Sequence, residues 1–225
     1  GHAWAIDLLR RHIRAGGVRH AYLFSGPDQV GKRTLAVAFA QALTCTEVPE
    51  PGEACGRCRT CETMRAGTHP DLSIVRLVPG DSEIKIDQVR ELQRQLALTP
   101  RQAARRVALL VDFDAANESA QNALLKTLEE PAEKVVLLLT AGSSAGLLPT
   151  LLSRCEVLNL RPVSPAMIEQ ASKAPAVRRG ETPMRREWSP RRLSSLLRIA
   201  ALAAVIPALL GAAAAPSADP PSTSS

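Results

Sequence analysis

The feature that most constrains the fold is a nine-residue stretch, GPDQVGKRT, at 26–34. An apolar run at 21–25 leads into it, and an amphipathic run typical of a helix starts at Lys32. A strand that enters a Gly-x-x-x-x-Gly-Lys loop and leaves as a helix is the arrangement of a phosphate-binding loop. The two glycines let backbone N–H groups face phosphate oxygens, and the lysine reaches the outer phosphates. The stretch therefore predicts descent from a nucleotide-binding fold.

The residue after the loop lysine departs from this pattern. The position normally carries Ser or Thr, whose hydroxyl ligates Mg²⁺, but here it is Arg33, which has no acceptor atom. Thr34 offers a hydroxyl one position later, rotated by about 100° around the helix. The candidate residues for binding ATP in this loop are Gly26, Gly31, Lys32, Arg33 and Thr34. The pattern disfavours Mg²⁺-dependent hydrolysis at this site.

Apolar runs and amphipathic stretches alternate along most of the chain. Buried strands are predicted at 21–25, 72–77, 106–111, 135–140 and 156–160. Helices are predicted at 3–15, 32–43 and 118–130, and Asp87 is expected to cap another helix that carries Val89, Leu92 and Leu96. This alternation predicts an α/β fold, a parallel sheet with helices on both faces. We expect this domain to cover 1–161 and a small helical domain to begin at 162–174.

Four of the five cysteines lie close together. Cys45, Cys55, Cys58 and Cys61 follow the pattern C-x9-C-x2-C-x2-C. Two-residue gaps let thiolates converge on one ion, and four thiolates suit tetrahedral Zn²⁺ with no open position. The spacing therefore favours a structural zinc site in an inserted loop module at about 45–67, with thiol–disulfide chemistry as the rival. Cys155 stands apart and is expected to be a buried small hydrophobe.

The end of the chain differs in composition from the rest. From Lys173 onward there are eight basic and three acidic residues, so the tail carries most of the net charge of +6 and the remainder is nearly neutral. The charge is thus no sign that the folded part binds DNA. The 20 uncharged residues at 199–218 approach the length of a membrane span, but Pro207 and the high Ala content argue against a membrane as a partner. We expect residues 175–225 to be disordered or aberrant.

The cysteines and the first predicted helix indicate the cellular compartment of the protein. The stretch at 3–15 is charged and amphipathic, unlike a secretion signal. Clustered cysteines in a chain without such a signal favour metal binding over disulfides and a cytoplasmic location.

Two further positions are candidates for nucleotide chemistry. Asp112 directly follows the predicted strand 106–111, but the paired acidic residues of a strong ATPase are absent there. Acidic residues that merely end a strand are the alternative. Arg154, in the stretch SRC, is either an ordinary surface arginine or a finger that completes the site of a neighbouring subunit. Spacing alone leaves both choices open.

Several motifs together resemble a known family. HAYLFSGPDQVGKRTLA, the four-cysteine insertion, HPD, NALLKTLEEP and LLPTLLSRC occur in this order over about 1–170. The chain is similar in these motifs to the delta prime family of bacterial clamp-loader subunits, relatives of the gamma/tau subunits of DNA polymerase III. The resemblance implies an AAA+ fold with a zinc module and a helical lid domain. It also implies a hetero-oligomer with gamma/tau and delta that loads the sliding clamp on primed DNA with ATP.

The resemblance also assigns roles to residues. It implies that the four clustered cysteines bind zinc, that Thr140 senses the γ-phosphate, and that Arg154 is a finger in the ATP site of an adjacent subunit. Counting back from Asn122, the usual Mg²⁺-binding Asp falls on Val111, and Asp112 takes the place of the catalytic acid. With Arg33, both Mg²⁺ contacts are lost.

These departures favour a subunit that hydrolyses little or no ATP itself, over an active gamma/tau-like ATPase. A thiol-redox or metal-handling protein is a third reading. The tail from about Pro175 does not resemble the family's lid or collar and is expected to be a truncation or a reading-frame change.

Overall fold

The computed structural model describes residues 2–162. Within them lie six α-helices, α1 Ala3–Arg14, α2 Lys32–Thr44, α3 Arg59–Ala66, α4 Ile86–Leu96, α5 Glu118–Glu129 and α6 Pro149–Leu152. The strands of the same region are β1 Ala21–Ser25, β2 Leu72–Val75, β3 Arg106–Leu110, β4 Val135–Ala141 and β5 Glu156–Asn159. The predicted lid domain and tail fall outside the described residues, so their boundaries stay predictions.

The five strands form one parallel sheet in the order β2-β3-β4-β1-β5. The prediction of a parallel α/β sheet is confirmed. Because all strands run the same way, their carboxyl ends meet at one edge. The loop after β1, the residues after β3 and the end of β4 therefore lie along that edge, where nucleotide-binding folds place their ligand.

Burial explains why the three central strands read as continuous apolar runs. Every residue of β1, β3 and β4 is buried, as expected for strands covered on both faces. Alternate residues of β1 enter different cores. Leu23 packs on the side of α4 and α5, and Phe24 packs on the side of α1 and α2. The prediction of helices on both faces is confirmed.

Two local predictions were wrong at element ends. Asp87 does not cap α4, because the helix begins one residue earlier, at Ile86. The N–H of the preceding Lys85 donates instead to Oε1 of Gln88, at 3.0 Å. Strand β2 ends at Val75 rather than at residue 77. The carbonyl of Val75 accepts the N–H of Val111 at 2.8 Å, and the exposed residues that follow leave the sheet.

Within the described region, none of the helices combines the length and the apolar character needed to cross a membrane. The uncharged stretch at 199–218 lies outside that region.

A buried carboxylate fixes the sheet edge formed by β2 and β3. Asp71, just before β2, has no exposed surface. It accepts the N–H groups of Arg101, Gln102 and Ala103 at 2.7, 2.7 and 2.8 Å, and the buried guanidinium of Arg106 lies 3.5 Å away. Burial alone would raise the pKa of Asp71, but these N–H groups and the Arg106 charge outweigh burial and hold the pKa below its ordinary value.

We expect Asp71→Asn to lower the free energy of unfolding at neutral pH by about 2–4 kcal/mol, because a buried arginine loses its counter-charge. The folded-state pKa of Asp71 is lowered, so its contribution is complete above the unfolded value of about 3.9 and is lost as pH falls through the folded value. Urea unfolding at decreasing pH should therefore show the two proteins converging. Asp87→Asn, on an exposed helix face, is the control, and a constant gap between wild type and Asp71→Asn would contradict the assignment.

Candidate functional site

The phosphate loop begins where β1 ends, and its first glycine is required by a close approach. A Cβ on Gly26 would lie 2.5 Å from the carbonyl oxygen of Leu160, the residue after β5. The second glycine is required by its backbone. Gly31 is the N-cap of α2 with φ 98° and ψ 17°, in the left-handed region that other residues avoid. The loop predicted from its two glycines is therefore built as a tight strand-to-helix turn.

Lys32 points into the loop and is held by loop atoms. Its ammonium donates to the carbonyl of Gly26 at 2.7 Å and to that of Pro27 at 3.2 Å. The carboxylate of Asp28 lies 3.5 Å from it, but that side chain is 94% exposed, so the ion pair contributes little. Only 7% of the lysine side chain is exposed. This arrangement concentrates positive charge where a phosphate oxygen could replace the loop carbonyls.

Arg33 and Thr34 face another part of the surface. Both are exposed, and both line a cavity of about 340 Å³ with α3 and β2 residues, among them Met64 and Ile74. The sequence groups these two residues with Lys32, but the structure places Lys32 inside the loop and the other two along this cavity.

At the next strands, Thr140, the predicted γ-phosphate sensor, contacts Asp112, the residue at the place of the catalytic acid. Thr140, near the end of β4, is fully buried. Its hydroxyl accepts the backbone N–H of Asp112 at 2.8 Å and lies 3.3 Å from the Asp112 carboxylate, to which it can donate. Asp112 adopts a left-handed backbone at φ 51°. Val111 packs partly buried against the apolar core, and its side chain offers no oxygen for a metal. The hydroxyl of Thr140 is thus occupied by Asp112.

The four clustered cysteines come together as their spacing predicts. The Sγ atoms of Cys45, Cys55, Cys58 and Cys61 all lie within 4.8 Å of one another. Sγ–Sγ distances of 4.0 Å separate Cys45 from Cys58 and Cys55 from Cys61. Four ligands at about 2.3 Å around a tetrahedral ion would be about 3.8 Å apart. The donors therefore fit a tetrahedral metal ion after a small contraction.

Backbone geometry aims the thiols at a common point. The N–H of Cys55 donates to Cys45 Sγ, that of Cys58 to Cys55 Sγ and that of Cys61 to Cys58 Sγ, at 3.3–3.4 Å. Burial opposes ionisation of Cys58, but the N–H of Cys61 and hydrogen bonds from Thr46 lower the pKa of Cys58 to about 6. Burial, together with the hydrogen bond to Cys58, raises the pKa of Cys61. Metal binding would have to displace that proton.

The cysteine module contains a helix that the sequence reading missed. The stretch at 45–67 was expected to be a loop, yet α3 occupies its second half. Cys58 is the N-cap of this helix and Gly67 ends it at φ 76°. A Cys N-cap is not among the usual signals, which explains the miss. Gln41 of α2 donates to the carbonyl of Cys61 at 2.6 Å, so the module is tied to the helix that follows the phosphate loop.

Arg154 lies just beyond α6 and is partly exposed, at 35% of its side chain. Its Nη2 is 2.8 Å from Oε1 of Glu129, at the end of α5. Its Nη1 donates to the carbonyl of Thr150 at 2.9 Å and lies 3.4 Å from the hydroxyl of Ser153. The neighbouring Cys155 packs against the core, and burial raises its pKa to about 12. The prediction of an apolar role for Cys155 agrees with this packing.

Two polar residues outside the predicted site, Asp114 and Gln121, hold the segment that connects β4 to α6. The carboxylate of Asp114 accepts the N–H groups of Gly142 and Ser143 at 2.8 and 3.3 Å. Gln121 of α5 accepts the N–H of Leu148 at 2.9 Å, and its amide donates to the carbonyl of Gly146 at 3.0 Å. In the sequence, Gln121 is marked only as a polar residue beside the apolar positions of a helix, and this does not show that it is buried and binds the backbone before α6.

A parallel sheet in this order, with a phosphate loop after β1, defines an AAA+-type nucleotide-binding fold. A solved structure of a DNA polymerase III gamma subunit-related protein from Thermotoga maritima has the same fold. It is similar over 73% of this chain and 48% of its own, with a TM-score of 0.55 and 22% identity.

Sequence comparison shows the family. The family model described as DNA polymerase III, delta subunit, matches residues 1–164, and the chain belongs to this family. DNA polymerase III subunit delta' of Pseudomonas aeruginosa is 44% identical over 136 residues, which cover 60% of this chain and 41% of that protein. Subunit delta' of Bacillus subtilis is 34% identical over 164 residues, covering 73% of this chain and 49% of that protein. The match thus spans half or less of each relative's length.

We expect the purified chain to bind one divalent ion at the cysteine cluster, because four converging thiols replace the ion's water ligands without leaving an open position. With Co²⁺ as the probe, the visible and near-ultraviolet spectrum should show thiolate charge transfer and tetrahedral d–d bands. Cys61→Ser should abolish tight binding, whereas Cys155→Ser, at the cysteine outside the cluster, should bind like wild type. Equal binding by all three proteins would contradict a site at this cluster.

Proposed function

We propose that this chain is a clamp-loader subunit of the delta prime type. In this proposal it acts within the DNA polymerase III holoenzyme, in the cytoplasm, as part of a hetero-oligomer with gamma/tau and delta. The assembly loads the sliding clamp on primed DNA with energy from ATP. The observation that carries the proposal has two parts. The two positions that usually hold Mg²⁺ carry Arg33 and Val111, and the Nε–H of Arg154 has no hydrogen-bond partner among residues 2–162.

The chain's own site is proposed to hydrolyse little or no ATP. Hydrolysis of this kind needs Mg²⁺ held by a hydroxyl beside the loop lysine and by an acid after a neighbouring strand. When the family's motifs are matched to this chain, Arg33 and Val111 occupy those two positions, and neither side chain offers an oxygen. The contact between Thr140 and Asp112 engages two polar groups at that edge with each other. A nucleotide bound to Lys32 would therefore lack a metal and a free sensor.

Arg154 is proposed to act in a partner's site. A guanidinium that reaches the γ-phosphate of a neighbouring ATP stabilises the charge that develops in phosphoryl transfer. Arg154 suits this role because its head group is partly exposed and ordered by three contacts within its own chain. The adjacent subunit in the proposal is gamma/tau, which would hold the ATP.

We propose that the metal at the four cysteines is Zn²⁺ and that its role is structural. Four thiolates leave no position for a substrate, and Zn²⁺ favours this donor set and geometry. The ion would hold the module against α1 and α2, where Arg10 pairs with Glu53 at 2.9 Å and Gln41 donates to the module's backbone. Redox chemistry is not needed to explain the cluster.

An active gamma/tau-like ATPase is the alternative. It is favoured by the intact frame of the loop, with both glycines in place and Lys32 buried at its centre. In that case the chain's own site would turn over ATP, and Lys32 would be essential to it.

ATPase measurements distinguish a delta prime-type subunit from an active gamma/tau-like ATPase. The rate is measured for the complex assembled with gamma/tau and delta, in the presence of clamp and primed DNA. We expect Arg154→Ala to slow turnover at the neighbouring site by about 10³-fold or more, the usual contribution of an arginine finger. We expect Lys32→Ala to leave turnover unchanged, because this chain's own loop does no chemistry. Stimulated turnover that depends on Lys32 and not on Arg154 would contradict the proposal and support the alternative.

A further inference from the structure

We infer that Glu129 is a positioning residue for Arg154, one that holds the guanidinium ready for the partner's nucleotide. The inference rests on the proposed role of Arg154 and adds a second residue to it. Its observation is the ion pair of 2.8 Å between Oε1 of Glu129 and Nη2 of Arg154, which joins residues 25 positions apart in sequence.

Helix α5 holds α6 at both of its ends. Near the start of α5, Gln121 accepts the N–H of Leu148, the N-cap of α6. At the end of α5, Glu129 binds Arg154, two residues beyond α6. Between these contacts, buried Leu124 and Leu151 belong to the same core. The position of Arg154 is therefore set by a helix anchored in the sheet's core and not by a loop alone.

The contacts of the guanidinium leave donors for a phosphate. Arginine has five N–H groups. Nη2 donates to Glu129, and Nη1 donates to the carbonyl of Thr150 and lies near the Ser153 hydroxyl. Among residues 2–162, Nε–H has no hydrogen-bond partner, and Nη2 has only the one. The Glu129 contact can thus persist while Nε and Nη2 bind phosphate oxygens side by side, the two-donor geometry in which arginine binds phosphate.

The ion pair between Glu129 and Arg154 is weak enough to orient the guanidinium without keeping it from a phosphate. The two side chains are 35% and 51% exposed, and water weakens ion pairs between exposed side chains. An ion pair of that strength does not keep arginine from a phosphate. It does reduce the conformational freedom that a long side chain would otherwise lose on binding. Removal of the carboxylate should therefore lower the finger's efficiency, without abolishing it.

The test is steady-state ATPase of the complex assembled with gamma/tau, delta, clamp and primed DNA. Glu129→Ala should lower turnover by about two- to fivefold, the factor that corresponds to an exposed ion pair. Glu129→Gln, which keeps an acceptor oxygen but not the charge, should have a turnover rate between those of Glu129→Ala and wild type. Glu129→Asp should restore part of the loss. Thermal unfolding of each variant shows whether the fold is kept.

Two controls make the result specific. Glu130→Ala changes the adjacent exposed glutamate, which forms no ion pair within the described region, and should turn over like wild type. In the Arg154→Ala background, Glu129→Ala should lower turnover no further, because each of the two substitutions removes the same ion pair.

A rate for Glu129→Ala that equals or exceeds wild type would overturn the inference, as would a loss of equal size in the Arg154→Ala background. If Arg154→Ala itself leaves turnover unchanged, the proposed finger falls and this inference with it. If Arg154→Ala is severe and Glu129→Ala is silent, only the positioning role falls.

Discussion

The parallel pairing of β1 with β4 on one side and β5 on the other is the constraint on which the rest of the site depends. At the carboxyl end of β1, the N–H of Gly26 donates to Ala141 of β4 at 3.2 Å, and the carbonyl of Ser25 accepts from Leu160 at 2.7 Å. The phosphate loop is therefore held between two neighbouring chain segments. A side chain at Gly26 would collide with Leu160. The close packing of these segments therefore requires the glycine of the motif.

Polar groups at this edge satisfy one another within the chain. Lys32 binds the carbonyls of its own loop, and the Thr140 hydroxyl is engaged by Asp112. A nucleotide would have to replace these contacts, and neither Arg33 nor Val111 offers an oxygen to a metal ion. Arg154 differs because its contacts leave N–H groups for a further acceptor. Because Lys32 is bound within its own loop and Arg154 keeps N–H groups available, this arrangement favours a role for Arg154 in a neighbouring site over chemistry in the chain's own loop.

The sheet and the cysteine cluster could be predicted from sequence because their signals are local. Buried parallel strands are continuous apolar runs, and two-residue gaps bring thiols together within a turn. The helix α3 was missed because Cys58 caps it, a role that pattern reading does not assign to cysteine. Asp87 was wrongly expected to be a cap because helix ends are set by the competition of neighbouring residues. The contact of Glu129 with Arg154 could not be predicted, since it joins two segments that only the fold of α5 onto α6 brings together.

Binding of ATP to the chain alone, measured by titration calorimetry with Mg²⁺ and then with a chelator, tests most directly whether its own site has lost its metal. We expect weak binding whose affinity differs by less than about twofold between the two conditions, because neither Arg33 nor Val111 can ligate the ion. Binding by the wild-type chain that Mg²⁺ strengthens about tenfold or more, with turnover lost in Lys32→Ala, would contradict the loss of a working metal site.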